Sequence, residues 1–168
     1  AWKEAGDIEE DIYYYLLATL LESADKVANT ASVYGAYLKH IKKTASADLK
    51  ILPAEFEVTS ASHQVYQRDV NELVKTIKGD ILYLDPPYNA RQYGSNYHIL
   101  NTIAAYEDFE PKGVTGLPAY NRSAYCSKSS VKESFEELIH DAEFTYVFLS
   151  YNNEGLMTHK EITEILAK

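Results

Sequence analysis

Residues 81–88 read Ile-Leu-Tyr-Leu-Asp-Pro-Pro-Tyr. The continuous apolar run Ile81–Leu84 has the length and character of a strand buried in a parallel sheet. Asp85-Pro86-Pro87-Tyr88 follows directly, at the carboxyl end of that strand, where open α/β sheets bind ligands. Two prolines fix two successive φ angles and remove two N–H groups, so the corner is stiff and offers bare carbonyls. It presents a carboxylate, an acceptor oxygen and an aromatic ring in one arc. Asp-Pro-Pro is also good chemistry for a turn that ends a strand. By average residue usage the tetrapeptide arises by chance in a chain of this length on the order of once in a thousand.

Outward from this corner, the pattern alternates. Asp69–Lys78 fits a short helix with Val70, Leu73, Val74 and Ile77 apolar, ended by Gly79. Before it, Phe56–Val58 and Gln64–Tyr66 read as short strands around a Ser-rich turn. After it, residues 95–106 have helical character through Tyr97, Leu100 and Ile103 or Ala104. Ser130 to Glu133 has the spacing of a capping box and opens a helix with Val131, Phe135, Leu138 and Ile139 apolar. Phe144–Ser150 is a second buried-strand candidate. Thr158 to Glu161 is a second capping box, opening a helix with Ile162, Ile165 and Leu166. From residue 63 on, strand and helix alternate, which predicts an α/β fold with a parallel sheet. Residues 1–50 are helical in pattern. Ile8, Ile12, Leu16, Leu20 and Ala24 keep helical spacing. Val33–Lys43, with Tyr37, Leu38 and Ile41 on one side, predicts a second helix, and 44–50 a loop. The expected organisation is a helical segment, 1–50, and an α/β portion, 51–168.

The chain has 168 residues, 46% hydrophobic and 24% charged. That is a globular composition of one-domain size. Its length allows burial of roughly 70% of the unfolded surface. No apolar run approaches the roughly 18 residues that span a bilayer. The first 25 residues carry seven acids and one lysine, unlike a secretory leader. The single Cys126 excludes a disulfide framework and a Cys-rich zinc site. The five histidines, at 40, 63, 98, 140 and 159, lack metal-ligand spacing, so no metal is expected, and His98 reads as a packing or helix-surface residue. The setting expected is reducing and cytoplasmic.

A net charge of −9 argues against nucleic-acid binding by the chain as a whole. The distribution says more. Residues 1–25 and 133–168 each sum to −6, whereas 26–50 and 111–132 each sum to +4. Lys39, Lys42, Lys43 and Arg122 lie in those basic stretches and face either phosphate or plain solvent. Fifteen tyrosines serve equally as core filler and as base-stacking surfaces.

The Asp85–Tyr88 corner suits one task. An exocyclic amine on a nucleobase has two N–H donors and a lone pair delocalised into the ring. The Asp85 carboxylate and the Pro86 carbonyl can accept one N–H each, which favours a pyramidal nitrogen and frees the lone pair for attack. The Tyr88 ring can stack on the base, worth about 1–3 kcal/mol. Such a base must first be flipped from the duplex.

Asp85-Pro86-Pro87-Tyr88 resembles the catalytic motif of S-adenosylmethionine-dependent amino-methyltransferases. The run from Tyr83 to Asn101, YLDPPYNARQYGSNYHILN, is similar to the Dam-like class of adenine-specific DNA methyltransferases, especially those of restriction-modification systems. Ala28–Ala31, Tyr34–Lys39, Tyr66–Asp69 and Phe148–Gly155 extend the resemblance. It implies a Rossmann-like methyltransferase sheet and methyl transfer from S-adenosylmethionine to the N6 amine of a flipped adenine in double-stranded DNA. It implies a prokaryotic, nucleoid-associated setting. In it, Asp85, Pro86, Pro87 and Tyr88 are catalytic, and Asp85 also lies near the cofactor's methionine end. Asp69 accepts from the cofactor's adenine amine beside Val70, and Asp69 is equally a helix N-cap. Asn89, Arg91, Gln92, Tyr93 and Asn96 form a polar loop for phosphate or substrate contact, or a solvated loop. Tyr151 and Asn152 resemble the family's active-site wall, or a strand-to-loop turn. The segment 1–50 belongs to or adjoins the DNA-recognition region. The sulfonium is already activated, so the chemistry calls for no metal.

The family pattern also needs a loop of the type Phe-x-Gly-x-Gly for the cofactor's methionine end. The glycines stand at 6, 35, 79, 94, 113, 116 and 155, and no two are separated by a single residue. The expectation is a C-terminal portion lacking the glycine-loop half, with weak or no cofactor binding and no transfer alone. Its partner is then the missing N-terminal part of the same enzyme. Competing readings are methyl transfer to an RNA or protein amine, and a non-catalytic DNA-recognition or assembly piece.

Overall fold

A computed structural model describes residues 6–30, 34 and 38–167. In chain order its elements are α1 (Glu10–Lys26), a 3-10 turn (Thr44–Ser46), α2 (Val70–Val74), β1 (Lys78–Leu84), α3 (Tyr93–Asn96), α4 (His98–Ala105), a 3-10 turn (Ala124–Cys126), α5 (Val131–Asp141), β2 (Glu143–Leu149) and α6 (His159–Leu166). The residues cluster into two units, 1–61 with 93–120, and 62–92 with 121–168. The fold is mixed α/β.

The second unit is built on the two apolar runs that the sequence marks as strands. β1 and β2 pair in parallel, with Ile81 opposite Tyr146, Leu82 opposite Val147, Tyr83 opposite Phe148 and Leu84 opposite Leu149. Parallel partners need a crossover, and α5 ends two residues before β2 begins. Val131, Phe135 and Leu138, at helical spacing on α5, are fully buried, and pack with Val74, Leu84, Met157 and Ile165. Leu82, Val147 and Leu149 lean on that core. Ile81, Tyr83, Tyr146 and Phe148 do not, and are 55–66% exposed. Gly79 lies in β1 rather than ending a helix. The Phe144 ring covers it so closely that a Cβ there would stand 3.2 Å from a ring carbon.

In the first unit α1 packs against α4. Its predicted stripe Ile12, Leu16 and Leu20 is exposed, and Thr19 and Ser23 are buried instead. The reason is polar: Ser23 Oγ accepts from Leu52 N–H at 3.1 Å, and Thr19 Oγ1 accepts from Ala54 N–H at 3.1 Å. His98 is a buried packing residue, its Nδ1 2.9 Å from the Ser95 carbonyl and its Nε2 3.1 Å from that of Thr115.

Four further expectations are corrected. Residues 38–43 of the predicted second helix are not helical, and Ile41 is exposed; the rest of that helix, apart from Tyr34, falls outside the described residues. Phe56–Val58 and Gln64–Tyr66 form no strands. Among the described residues no neighbouring strand pairs with them, and Phe56, Val58 and Val65 are exposed. The helix after Asp69 stops at Val74. The Ser130 capping box does not form: Ser130 Oγ accepts no cap bond and is turned to donate to the Ala124 carbonyl at 2.8 Å. The Thr158–Glu161 box does form. Among the described residues, no helix is long and apolar enough to cross a membrane.

Candidate active site

Leu84 ends β1, and its carbonyl accepts from Ser150 N–H at 2.8 Å, one step beyond the strand ladder. There the chain turns through Asp85, Pro86 and Pro87 into a cleft of about 1130 Å³. Three stretches line it: Gln67–Glu72 around the start of α2, Tyr83–Pro87, and Asn121–Tyr125, with Ser134, Glu137 and Leu138 of α5 behind them. Asp69, Val70, Asp85, Pro86, Pro87 and Arg122 therefore share one hollow within the second unit. Its size exceeds the usual range for a single small ligand.

Asp69 is the N-cap of α2, its Oδ1 accepting from Asn71 N–H at 2.9 Å. A carboxylate has acceptor capacity beyond one such bond. Behind it lies a polar network absent from the sequence reading. Asn71 is buried, and its Nδ2 donates to the Ser134 carbonyl at 2.9 Å and to Glu137 Oε2 at 3.1 Å. Its Oδ1 accepts from the Tyr125 hydroxyl at 2.8 Å, and that hydroxyl also reaches the Ser134 carbonyl at 3.2 Å. Burial, followed by the Asp69 and Glu137 carboxylates, pushes the Tyr125 hydroxyl above the ordinary tyrosine range. Lys75 joins α2 to α5 through Glu72 at 3.0 Å and Glu137 at 3.3 Å. Those hydrogen bonds, Glu72 first, hold its ammonium above the usual lysine range. The available signal for Asn71 was its spacing of three from Val74, which puts a polar side chain on the buried face of α2.

The remaining candidates are spread more widely. Tyr88 is 40% exposed and is not among the residues lining the cleft; its carbonyl accepts from Leu156 N–H at 2.8 Å. Asn89 Oδ1 accepts from Arg91 N–H at 2.9 Å, turning the loop. The Arg91 residue is exposed, and the Gln92 amide engages the Ser123 backbone. Tyr151 presents its hydroxyl to Met157 N–H at 3.1 Å, and Asn152 Oδ1 accepts from Glu154 N–H at 2.8 Å. Tyr93, Asn96, Lys39, Lys42 and Lys43 belong to the first unit. Tyr93 meets Tyr97 edge-on at 5.7 Å, and the Asn96 carbonyl accepts from Tyr34 N–H at 2.6 Å. Lys42 lines a smaller hollow of about 410 Å³ with Asp25 and Tyr97, while Lys39 and Lys43 are exposed. Among the described residues, no three His, Cys, Asp or Glu side chains converge as a metal site.

Residues 3–165 match a family model described as D12 class N6 adenine-specific DNA methyltransferase. Type II methyltransferase M.NlaIII of Neisseria lactamica is 65% identical over 167 residues, which cover 99% of this chain and 50% of that protein. Type II methyltransferase M.FokI of Planomicrobium okeanokoites is 44% identical over 167 residues, 98% of this chain and 26% of that one. Type II methyltransferase M.CviAII of Paramecium bursaria Chlorella virus 1 is 41% identical over 161 residues, 96% and 48% respectively. The chain thus spans half or less of the length of these relatives. No solved structure gives a significant match. A strand ending in Asp85-Pro86-Pro87-Tyr88, and a match that runs nearly end to end, place the chain in the D12 class of N6 adenine-specific DNA methyltransferases.

Proposed function

We propose that the protein is the DPPY-bearing portion of a restriction-modification methyltransferase that transfers a methyl group from S-adenosylmethionine to N6 of an adenine flipped out of double-stranded DNA. The observation that carries this is the shared cleft. Asp85 and Pro86, at the end of β1, line the same hollow as Asp69 and Val70. Asp69 and Val70 fit the amine edge and the face of the cofactor's adenine. S-adenosylmethionine, when bound, supplies an activated methyl group. Asp85 and the Pro86 carbonyl accept the two N–H groups of the target amine, and so localise its lone pair. Pro86 and Pro87 keep both acceptors in place before the base arrives, so little reorganisation is left for the transition state. The Tyr88 ring stacks on the base. Asn89, Arg91, Tyr93, Asn96, Tyr151 and Asn152 serve as substrate contacts. Lys39, Lys42, Lys43 and Arg122 take phosphates, with residues 1–50 in or beside the recognition region. The enzyme works on nucleoid DNA in a prokaryotic cytoplasm.

The partner is the glycine-loop half of the same Rossmann-like fold. Supporting this, β1 and β2 pair only with each other among the described residues, and their Ile81, Tyr83, Tyr146 and Phe148 face is uncovered. M.NlaIII is about twice as long as the matched region. Without that half, calorimetry is expected to show weak or no S-adenosylmethionine binding. With it supplied, labelled methyl appears as N6-methyladenine in duplex DNA, and not in RNA or protein. Asp85→Ala then lowers transfer at least about a hundredfold, with DNA affinity nearly unchanged. Equal loss of both makes Asp85 structural, and label in RNA or protein reassigns the substrate.

A further inference from the structure

The chain leaves the second unit after Gln92 and rejoins it at Asn121, since residues 93–120 cluster with the first. At that neck the Gln92 carboxamide faces the backbone of Ser123. Its Oε1 accepts from Ser123 N–H at 2.9 Å, and its Nε2 donates more weakly to the Ser123 carbonyl at 3.5 Å. A primary amide thus offers one residue an acceptor and a donor side by side, as an adjacent strand would. Beside this pair, the Cys126 thiol donates to the Arg91 carbonyl at 3.3 Å. Ser123 Oγ in turn accepts from Tyr125 N–H at 3.2 Å and caps the short turn that follows.

The neck is also the rim of the cleft. Ser123 and Tyr125 form one wall of the hollow that Asp85–Pro87 enters. From Gln92 the hydrogen bonds run through Ser123, Tyr125 and Asn71 to Asp69. The loop after the motif and the acid at the far end of the cleft are therefore held by one connected frame. We propose that Gln92 is a positioning residue for methyl transfer, setting the gap between the Asp85–Tyr88 corner and the Asn121–Tyr125 wall, rather than a contact to DNA. The assignment rests on the adenine reading of the cleft given above.

Cys126 is the single cysteine of the chain and is buried, so its alkylation reports opening of the neck. Gln92→Glu keeps the shape and one acceptor, but turns the donor into a second acceptor facing the Ser123 carbonyl. Gln92→Met keeps the length and removes both. In the full chain, each substitution is expected to raise the rate of Cys126 labelling by iodoacetamide about tenfold, with far-UV circular dichroism like that of wild type. Should the Met variant fail to fold, the Glu variant decides. In the transfer assay kcat falls about tenfold while KM for DNA stays within about twofold. Labelling of Gln92→Glu at the wild-type rate overturns the proposal. So does a raised KM for DNA at unchanged kcat, the signature of a substrate contact. Labelling needs no methyl transfer, so a wrong adenine reading silences only the kinetic arm and leaves the labelling result standing.

Discussion

Asn71 is the side chain on which most of the cleft's inner wall converges. Its amide and backbone N–H serve Asp69, Tyr125, Ser134 and Glu137. Asn71→Leu keeps the volume but strands buried polar groups, so it is expected to cost about 2–3 kcal/mol, read as a lower urea midpoint. Tyr125 adds a pH dependence whose sign follows from burial. The folded state holds the phenol proton more tightly than the unfolded chain does. Stability from this group is therefore complete below the ordinary tyrosine range and lost as pH rises through the folded value. Urea midpoints measured at about pH 9 and about pH 11 should fall, and less so in Tyr125→Phe. The remaining fall belongs to Tyr34, Cys126 and Lys75, whose ionisations are shifted upward as well. None of this was legible beforehand, because a hydrogen-bond partner 54 residues away leaves no local periodicity.

Elements were legible where their apolar side chains find partners. β1, β2, α5 and α6 were legible as elements because Leu84, Leu149, Phe135, Leu138 and Ile165 close on one core. The expectation that both strands are buried is corrected, since Ile81, Tyr83, Tyr146 and Phe148 are exposed. The stretches 56–58 and 64–66 have the composition of strands but, among the described residues, no neighbouring strand to pair with. In α1 two hydroxyls outcompete the apolar stripe, because Ser23 and Thr19 accept from the backbone N–H groups of Leu52 and Ala54 and are buried in doing so. Ser130 and Thr158 show how little the spacing alone decides: each stands three residues before a glutamate, and only Thr158 closes the box. Thr158→Ala should destabilise α6 by about 1 kcal/mol, checked by thermal unfolding. The backbone and hydroxyl of Thr158 draw the Glu161 carboxyl below the usual glutamate range. Its contribution is thus present above the unfolded value and lost as pH falls through the folded one, a loss that Glu161→Gln should abolish.

At the scale of the molecule, the candidate chemistry was more legible than the architecture. The corner after β1 announces itself in four residues, whereas the return of Asn121–Tyr125 to the same cleft is a matter of topology. An aromatic sheet face left uncovered invites association. The chain alone should self-associate in size-exclusion chromatography with light scattering, and Tyr146→Lys with Phe148→Lys should suppress it. With a net charge of −9, any DNA affinity must come from the local basic stretches, so it should drop steeply with added salt. The neck at Gln92 and Ser123 carries a last consequence. Both ends of the 93–120 excursion are tied off at the rim, so changes of length or side chain in its interior leave the Gln92–Ser123 pairing and the Asn121–Tyr125 wall in place. The excursion is in that sense a cassette: what it carries can be exchanged while the two chain crossings that hold it stay fixed.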